Sequence, residues 1–300
     1  MALAFGLPLA HGQGITLTGT EPAIVADDTN PVVLDTVKIS ASADASATGL
    51  TKTLSGGQVA RGGRIGILGT RDQMETPFSV TAYTNQLIQD QQAQSVADVL
   101  QNDPSIRMAR GFGNFQETYF VRGFLLYSDD IAYNGLFGLL PRQYIASDLF
   151  ERVEVLRGAS AFLTGATPSG SGIGGTINLL PKRAPNDPLT HVDLGLVNSK
   201  QFNASADLAR RFGPDDSTGL RLVATHRQGD TAIDREHNKE DLISAGLDWH
   251  DADTRLSADL GYQNHHLKAT RTNVTLASTV TAVPAAADST TNWAQPWSYS

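Results

Sequence analysis

From about residue 190 onward, apolar and polar side chains alternate with period two, and this constrains the chain more than any other feature. Successive side chains of a strand point to opposite faces, so such alternation requires a sheet with one apolar and one polar face. Five segments show it. Val192, Leu194 and Leu196 alternate with Asp193 and Gly195, and Phe202, Ala204, Ala206 and Leu208 with Asn203, Ser205 and Asp207. Leu220, Leu222 and Ala224 alternate with Arg221 and Thr225. Ile243, Ala245, Leu247 and Trp249 form the fourth apolar row, and Leu256, Ala258, Leu260 and Tyr262 the fifth. Each run is about ten residues, the length a tilted strand needs to cross the hydrocarbon layer. A soluble β-sandwich gives similar alternation. Abundant alanine on the apolar face, with Phe202, Trp249 and Tyr262 near the expected strand ends, favours a membrane wall with an aromatic girdle. Gly213 to Ser217 and Asp251 to Asp253 read as tight turns, whereas residues 229 to 241 and those after 264 read as longer polar loops.

The other end of the chain has a different character. Ala2 to Ala10 is an apolar stretch that reads as a secretory signal without its basic leader, giving a signal remnant over 1–13. Residues 14–75 are rich in Ala, Gly, Ser, Thr and Asp and carry few large apolar groups, so the segment is expected to be mostly flexible. Val32 to Ser40 is its one β-prone island, suited to pairing with the sheet edge of another protein. No run approaches the roughly 18 apolar residues of a membrane-spanning helix, so any crossing must use strands.

Between these regions, residues 76–188 carry the mixed signals of a compact α/β domain. Pro77 to Tyr83 reads as a strand, and Leu87, Ile88, Val96, Val99 and Leu100 have helical spacing. Ser95 with Asp98 resembles a capping box, and Asn102-Asp103-Pro104 ends that helix. Strands are predicted at Thr118 to Val121, Ile131 to Tyr133, Arg152 to Leu156 and Ile177 to Pro181, with a tight turn at Asn134-Gly135. The net charge of −8 and the absence of a basic stripe argue against nucleic acid as a partner. With no cysteine, disulfides, thiolate metal sites and cysteine nucleophiles are excluded.

Gly170 to Gly175 matches G-x-G-x-x-G, but a dinucleotide site needs a strand before it and a helix after it. Here Thr167-Pro168-Ser169 precedes and a β-like segment follows, so a close-packed turn is expected. His226, His237, His265 and His266 match no metal-ligand spacing and are read as solvated loop residues. No catalytic constellation is readable, so enzyme activity has no candidate residues.

Phe120-Val121-Arg122-Gly123-Phe124, Glu151 to Gly158 and Gly174 to Arg183 closely resemble the plug of TonB-dependent siderophore receptors. Thr76 to Val80 and Ser95 to Leu100 add two further signatures in the family's order. The resemblance implies an α+β plug, a mixed β-sheet with short helices over 76–188. After it come about five antiparallel strands, 189–300, of an incomplete transmembrane β-barrel of about 22. With the remaining strands expected beyond Ser300, an open sheet with exposed edges is predicted.

By the same resemblance, Leu34, Asp35, Thr36, Val37, Lys38 and Ile39 look like the TonB box, the strand captured by TonB and its inner-membrane energising complex. Arg122 and Arg157 occupy plug positions that pair with barrel glutamates, and a buried guanidinium needs such partners. Arg110, Phe112, Phe115, Tyr133, Phe137 and Tyr144 fall near ligand-contacting positions. The implied protein is a monomeric importer in the outer-membrane lipid, carrying a ferric siderophore and needing no cofactor or bound metal of its own. Receptors for haem, cobalamin or another metal chelate, and a binding or signalling module, are the alternatives.

Overall fold

A computed structural model describes residues 49–111, 116–197, 200–251, 253–270, 276–282, 285–295 and 297–298. The segment expected to be a TonB box, Phe112 and Phe115 lie outside them. The first surprise is how early folding begins. β1 (Val59–Ala60), β2 (Gly62–Arg64) and β3 (Thr70–Asp72) are already ordered, where the composition predicts flexibility through residue 75. Hydrogen bonds, together with the fully buried Ile65, hold this strap. The Leu54 amide donates to the Val59 carbonyl at 2.8 Å, the Arg61 amide to the Lys52 carbonyl at 2.8 Å, and the Arg152 guanidinium to the Thr51 carbonyl at 2.9 Å.

β4 (Val80–Thr84) leads into α1 (Asn85–Asp90) and α2 (Val96–Leu100). Ser95 and Asp98 form the predicted capping box, each side chain accepting from the other's backbone amide. β5 (Ile106–Arg110), β6 (Thr118–Val121) and β7 (Phe124–Tyr127) make a small antiparallel sheet. β8 (Ala132–Tyr133) and β9 (Leu136–Phe137) flank the Asn134-Gly135 turn, whose φ values of 48° and 85° are the left-handed pair such a hairpin requires. β10 (Phe150–Arg157), α3 (Ala161–Thr164) and β11 (Gly175–Pro181) complete the domain. Six of these strands form one sheet in the order β1-β4-β10-β11-β8-β9. α1 and α2 pack on it over a core that includes Leu87, Ile88, Val96, Leu100, Val153, Val155, Ile177 and Leu179. Burying each such side chain fully stabilises by about 1.5–3 kcal/mol.

The second region is a meander of neighbouring antiparallel strands: β12 (Leu189–Val197), β13 (Gln201–Phe212), β14 (Thr218–Asp230), β15 (His237–His250) and β16 (Arg255–Lys268). It is an open sheet, as predicted. Its polarity is the reverse of a soluble sandwich. The apolar rows face outward, with Leu194 71% and Leu260 66% exposed, while Asp207, Arg221, Arg227 and Glu240 face the globular domain and are buried. Among the described residues no helix is long and apolar enough to cross a membrane.

Three details differ from the sequence reading. β14 and β15 run through most of residues 229–241, leaving only a short link at 231–236. Tyr262 lies near the middle of β16, although Phe202 and Trp249 do sit near strand ends. The four histidines lie on β14, β15 and β16 rather than in loops, and cross-strand carboxylates hold two of them: His226 lies 2.7 Å from Asp241, and His237 2.9 Å from Asp230.

Candidate functional site

The globular domain meets the sheet through charges. The turn before β10 presents Asp148 and the strand itself Glu151, so both carboxylates face the inner wall. Arg227 of β14 bridges Asp148 and Glu240 at 2.8 Å each. Further along the same face, Arg221 binds Asp207 at 2.8 Å and Glu151 at 2.9 Å. Lys182, just past β11, reaches Asp207 at 2.8 Å, and Arg183 pairs with Asp259. Arg211 binds Asp248 at 2.6 Å and the Ala184 carbonyl at 2.9 Å. A buried charge without such partners costs several kcal/mol, so the network fixes where the domain sits on the wall.

Aromatic and amide contacts seal the β15–β16 side. Tyr144 stacks on His265 with ring centroids 4.2 Å apart, and Gln263 donates to the Tyr144 carbonyl at 2.9 Å. The Tyr144 hydroxyl donates to the Gln94 carbonyl at 2.9 Å, and burial, with Glu240 nearby, raises its pKa well above the usual range. Tyr144 is therefore a seam residue, only 3% exposed, and not open to a ligand in this conformation. Of the other expected contact residues, Arg110 is exposed at the end of β5, and Tyr133 and Phe137 are half-buried on β8 and β9.

Arg157 binds Asp103 at 2.5 Å within the domain, and its guanidinium also donates to Ser105 and Thr81. Arg122 is exposed, with φ 53°, and its guanidinium lies beside Gly158, so the two Arg-Gly turns are neighbours. Glu117, fully buried in the same domain, accepts from the Tyr119 hydroxyl at 2.5 Å. Burial pushes its carboxyl up to about 7, against the opposing effect of that hydrogen bond. Sequence reasoning did not single it out. The adjoining apolar Tyr119 and Val121 were its one signal.

The glycine-rich turn is filled from inside. The Asp130 carboxylate accepts from the amides of Ser169 at 2.9 Å and Ser171 at 3.2 Å, and from both hydroxyls. Burial alone would raise Asp130, but these donors outweigh it and hold the carboxyl low. Gly174 shows why glycine is needed, since a Cβ there would lie 1.9 Å from the Val121 carbonyl oxygen. Among the described residues no group of three or more His, Asp or Glu is arranged to hold a metal.

Residues 72–172 match the TonB-dependent receptor plug domain. Over 250 residues, 83% of this chain and 33% of the relative, the sequence is 45% identical to the ferrichrome receptor FcuA of Yersinia enterocolitica. The ferripyoverdine receptor of Pseudomonas aeruginosa is 27% identical over 65% of this chain and 24% of its own length. The ferric preacinetobactin receptor BauA of Acinetobacter baumannii superposes with a TM-score of 0.79 at 34% identity, covering 83% of this chain and 37% of that one. The chain thus spans about a third of the length of the curated relative it matches at 45% identity. A plug-domain match, a charged seam and an outward-facing apolar wall agree, and the chain belongs to the TonB-dependent receptors of the outer membrane.

Proposed function

We propose that the chain serves the TonB-dependent import of a ferric siderophore, with the plug gating a barrel to which β12–β16 contribute. The observation that carries this reading is the inverted wall: apolar residues face out while the plug is fixed to the inner face by Arg221 and Arg227. Receptors for ferrichrome, ferripyoverdine and ferric preacinetobactin among its relatives favour a siderophore. A vitamin B12 transporter, 26% identical over 65% of the chain, keeps cobalamin as a second reading. Catalysis has no part in it, and iron enters as cargo.

In this reading Leu34 to Ile39 is the strand that TonB draws on. Arg110, Tyr133 and Phe137, with Phe112 and Phe115, face the ligand. Arg122 and Arg157 await barrel glutamates, Arg157 exchanging Asp103 for them or sharing it. The test is uptake of iron-55 complexed to ferrichrome, a catecholate or a citrate chelate by iron-starved cells producing the receptor. Uptake should need TonB and vanish when residues 34–39 are deleted, with surface binding kept. TonB-independent uptake, or none of any chelate, removes the reading.

A further inference from the structure

Two polar cavities lie end to end along α1. The upper one, about 290 Å³, separates the helix from the inner faces of β12–β14, with Gln89 and Gln92 opposite Asn203 and Ser205. The lower one, about 460 Å³, continues along the same helix and is lined on one side by Leu50, Thr53 and Gly57 of the strap. Asn85, Gln86 and Gln89 line both. What divides them is the bar of charges formed by Lys182, Asp207, Arg221 and Glu151. The β15–β16 side, sealed by the Tyr144–His265 stack, is closed differently.

The strap holds both ends of α1. The Thr84 amide, just before the helix, donates to the Gln58 carbonyl at 3.1 Å, and the Thr84 hydroxyl to the Gly57 carbonyl at 2.6 Å. At the far end, the Gln58 side chain donates to Asp90 at 2.8 Å. β1 is the edge strand of its sheet and pairs through two residues only. Drawing the strap away breaks a few hydrogen bonds, each a net contribution of about 0.5–1.5 kcal/mol. That opens the lower cavity at its strap side, while Leu87 and Ile88 keep the helix on the core.

Resting on the import reading, we propose that the seam between α1 and β12–β14 is the passage for the chelate, with Gly57–Gln58 as its latch. Its amide, hydroxyl and charged lining suits a water-soluble chelate rich in carbonyl and hydroxyl groups, such as a hydroxamate. At rest the charged bar splits the space into chambers at the small end of ligand sites, roughly 300–1,000 Å³.

This chain has no cysteine, so in a receptor otherwise without cysteine single introduced thiols can report the route. In the receptor in its native outer membrane, Ser205→Cys lines the upper cavity, whereas Ser244→Cys lines a separate cavity on the β15 side. Coupling a bulky maleimide to each thiol should cut chelate uptake at least tenfold in the Ser205→Cys receptor and leave it within twofold in the Ser244→Cys receptor. Surface binding should be unchanged in both. Equal or reversed effects overturn the route. For the latch, a Cβ on Gly57 would lie 4.0 Å from that of Gln86, within disulfide range. Oxidised G57C/Q86C should bind but not import, and reduction should restore uptake to the level of G57C alone. Import by the oxidised form as fast as by the reduced one overturns the latch while the import reading stands. Binding without uptake by the unmodified receptor overturns both.

Discussion

The plug interior and the plug–wall seam are equally buried and built from opposite chemistry. Inside the plug, Val153, Val155, Ile177 and Leu179 pack against the helices with no polar partner to satisfy. At the seam, Arg221, Arg227, Lys182, Asp207 and Glu240 are buried as well, each tied to a charge of the other sign. An apolar core resists opening because water cannot replace what it loses. A charged seam can be taken over by water group by group. The contrast separates what must stay folded from what can part and re-form, as a gate requires.

That contrast can be broken most directly at Arg227. Arg227→Ala leaves Asp148 and Glu240 facing each other uncompensated, and should cost about 3–5 kcal/mol. Thermal unfolding in detergent measures it. Adding Asp148→Asn and Glu240→Gln should recover most of the loss, and no recovery would mean that the arginine acts through packing instead.

Within the plug, Glu117 is a buried carboxyl with no cation beside it among the described residues, and it sharpens the rule. Its folded-state carboxyl titrates near 7, above its value in an unfolded chain, so its contribution to stability is present below about 4.5 and is lost as pH rises through 7. Glu117→Gln should flatten that decline and raise stability at pH 8 by on the order of 2–3 kcal/mol, read from denaturant midpoints across pH 5–8. An unchanged pH profile would place its proton elsewhere. Ile177→Val, which trims the apolar core by one methylene, should cost about 0.5–1.5 kcal/mol whatever the pH. Last and about as small, Ser95→Ala removes half of a capping box and should cost about 1 kcal/mol, with surface binding untouched.

Much of the fold was legible in the sequence. Alternation marked the five wall strands, and Asn134-Gly135 and Ser95/Asp98 marked a turn and a helix start, because each rests on contacts between near neighbours. The strap before residue 75 was hidden, since strands of two or three residues give no period and are held by backbone bonds to one another and to β4, with the distant Arg152 guanidinium donating to Thr51. The seam was hidden for another reason. Arg221 and Arg227 look like solvent-facing residues of an amphipathic strand, and their partners Glu151 and Asp148 lie 70 and 79 positions away. Nothing local distinguishes a charge that meets water from one that meets a second domain. Tyr144, expected at the ligand, sits in this seam through His265 and Gln263, more than a hundred positions away in sequence.

The carboxylate of Asp130 within the glycine-rich turn has a consequence for competing solutes. Held by the chain itself, it confronts those amides at an effective concentration of the millimolar order that a dilute free anion does not reach. Phosphate and sulfate therefore find the cradle occupied by a tethered competitor, which keeps this stretch inert toward free anions.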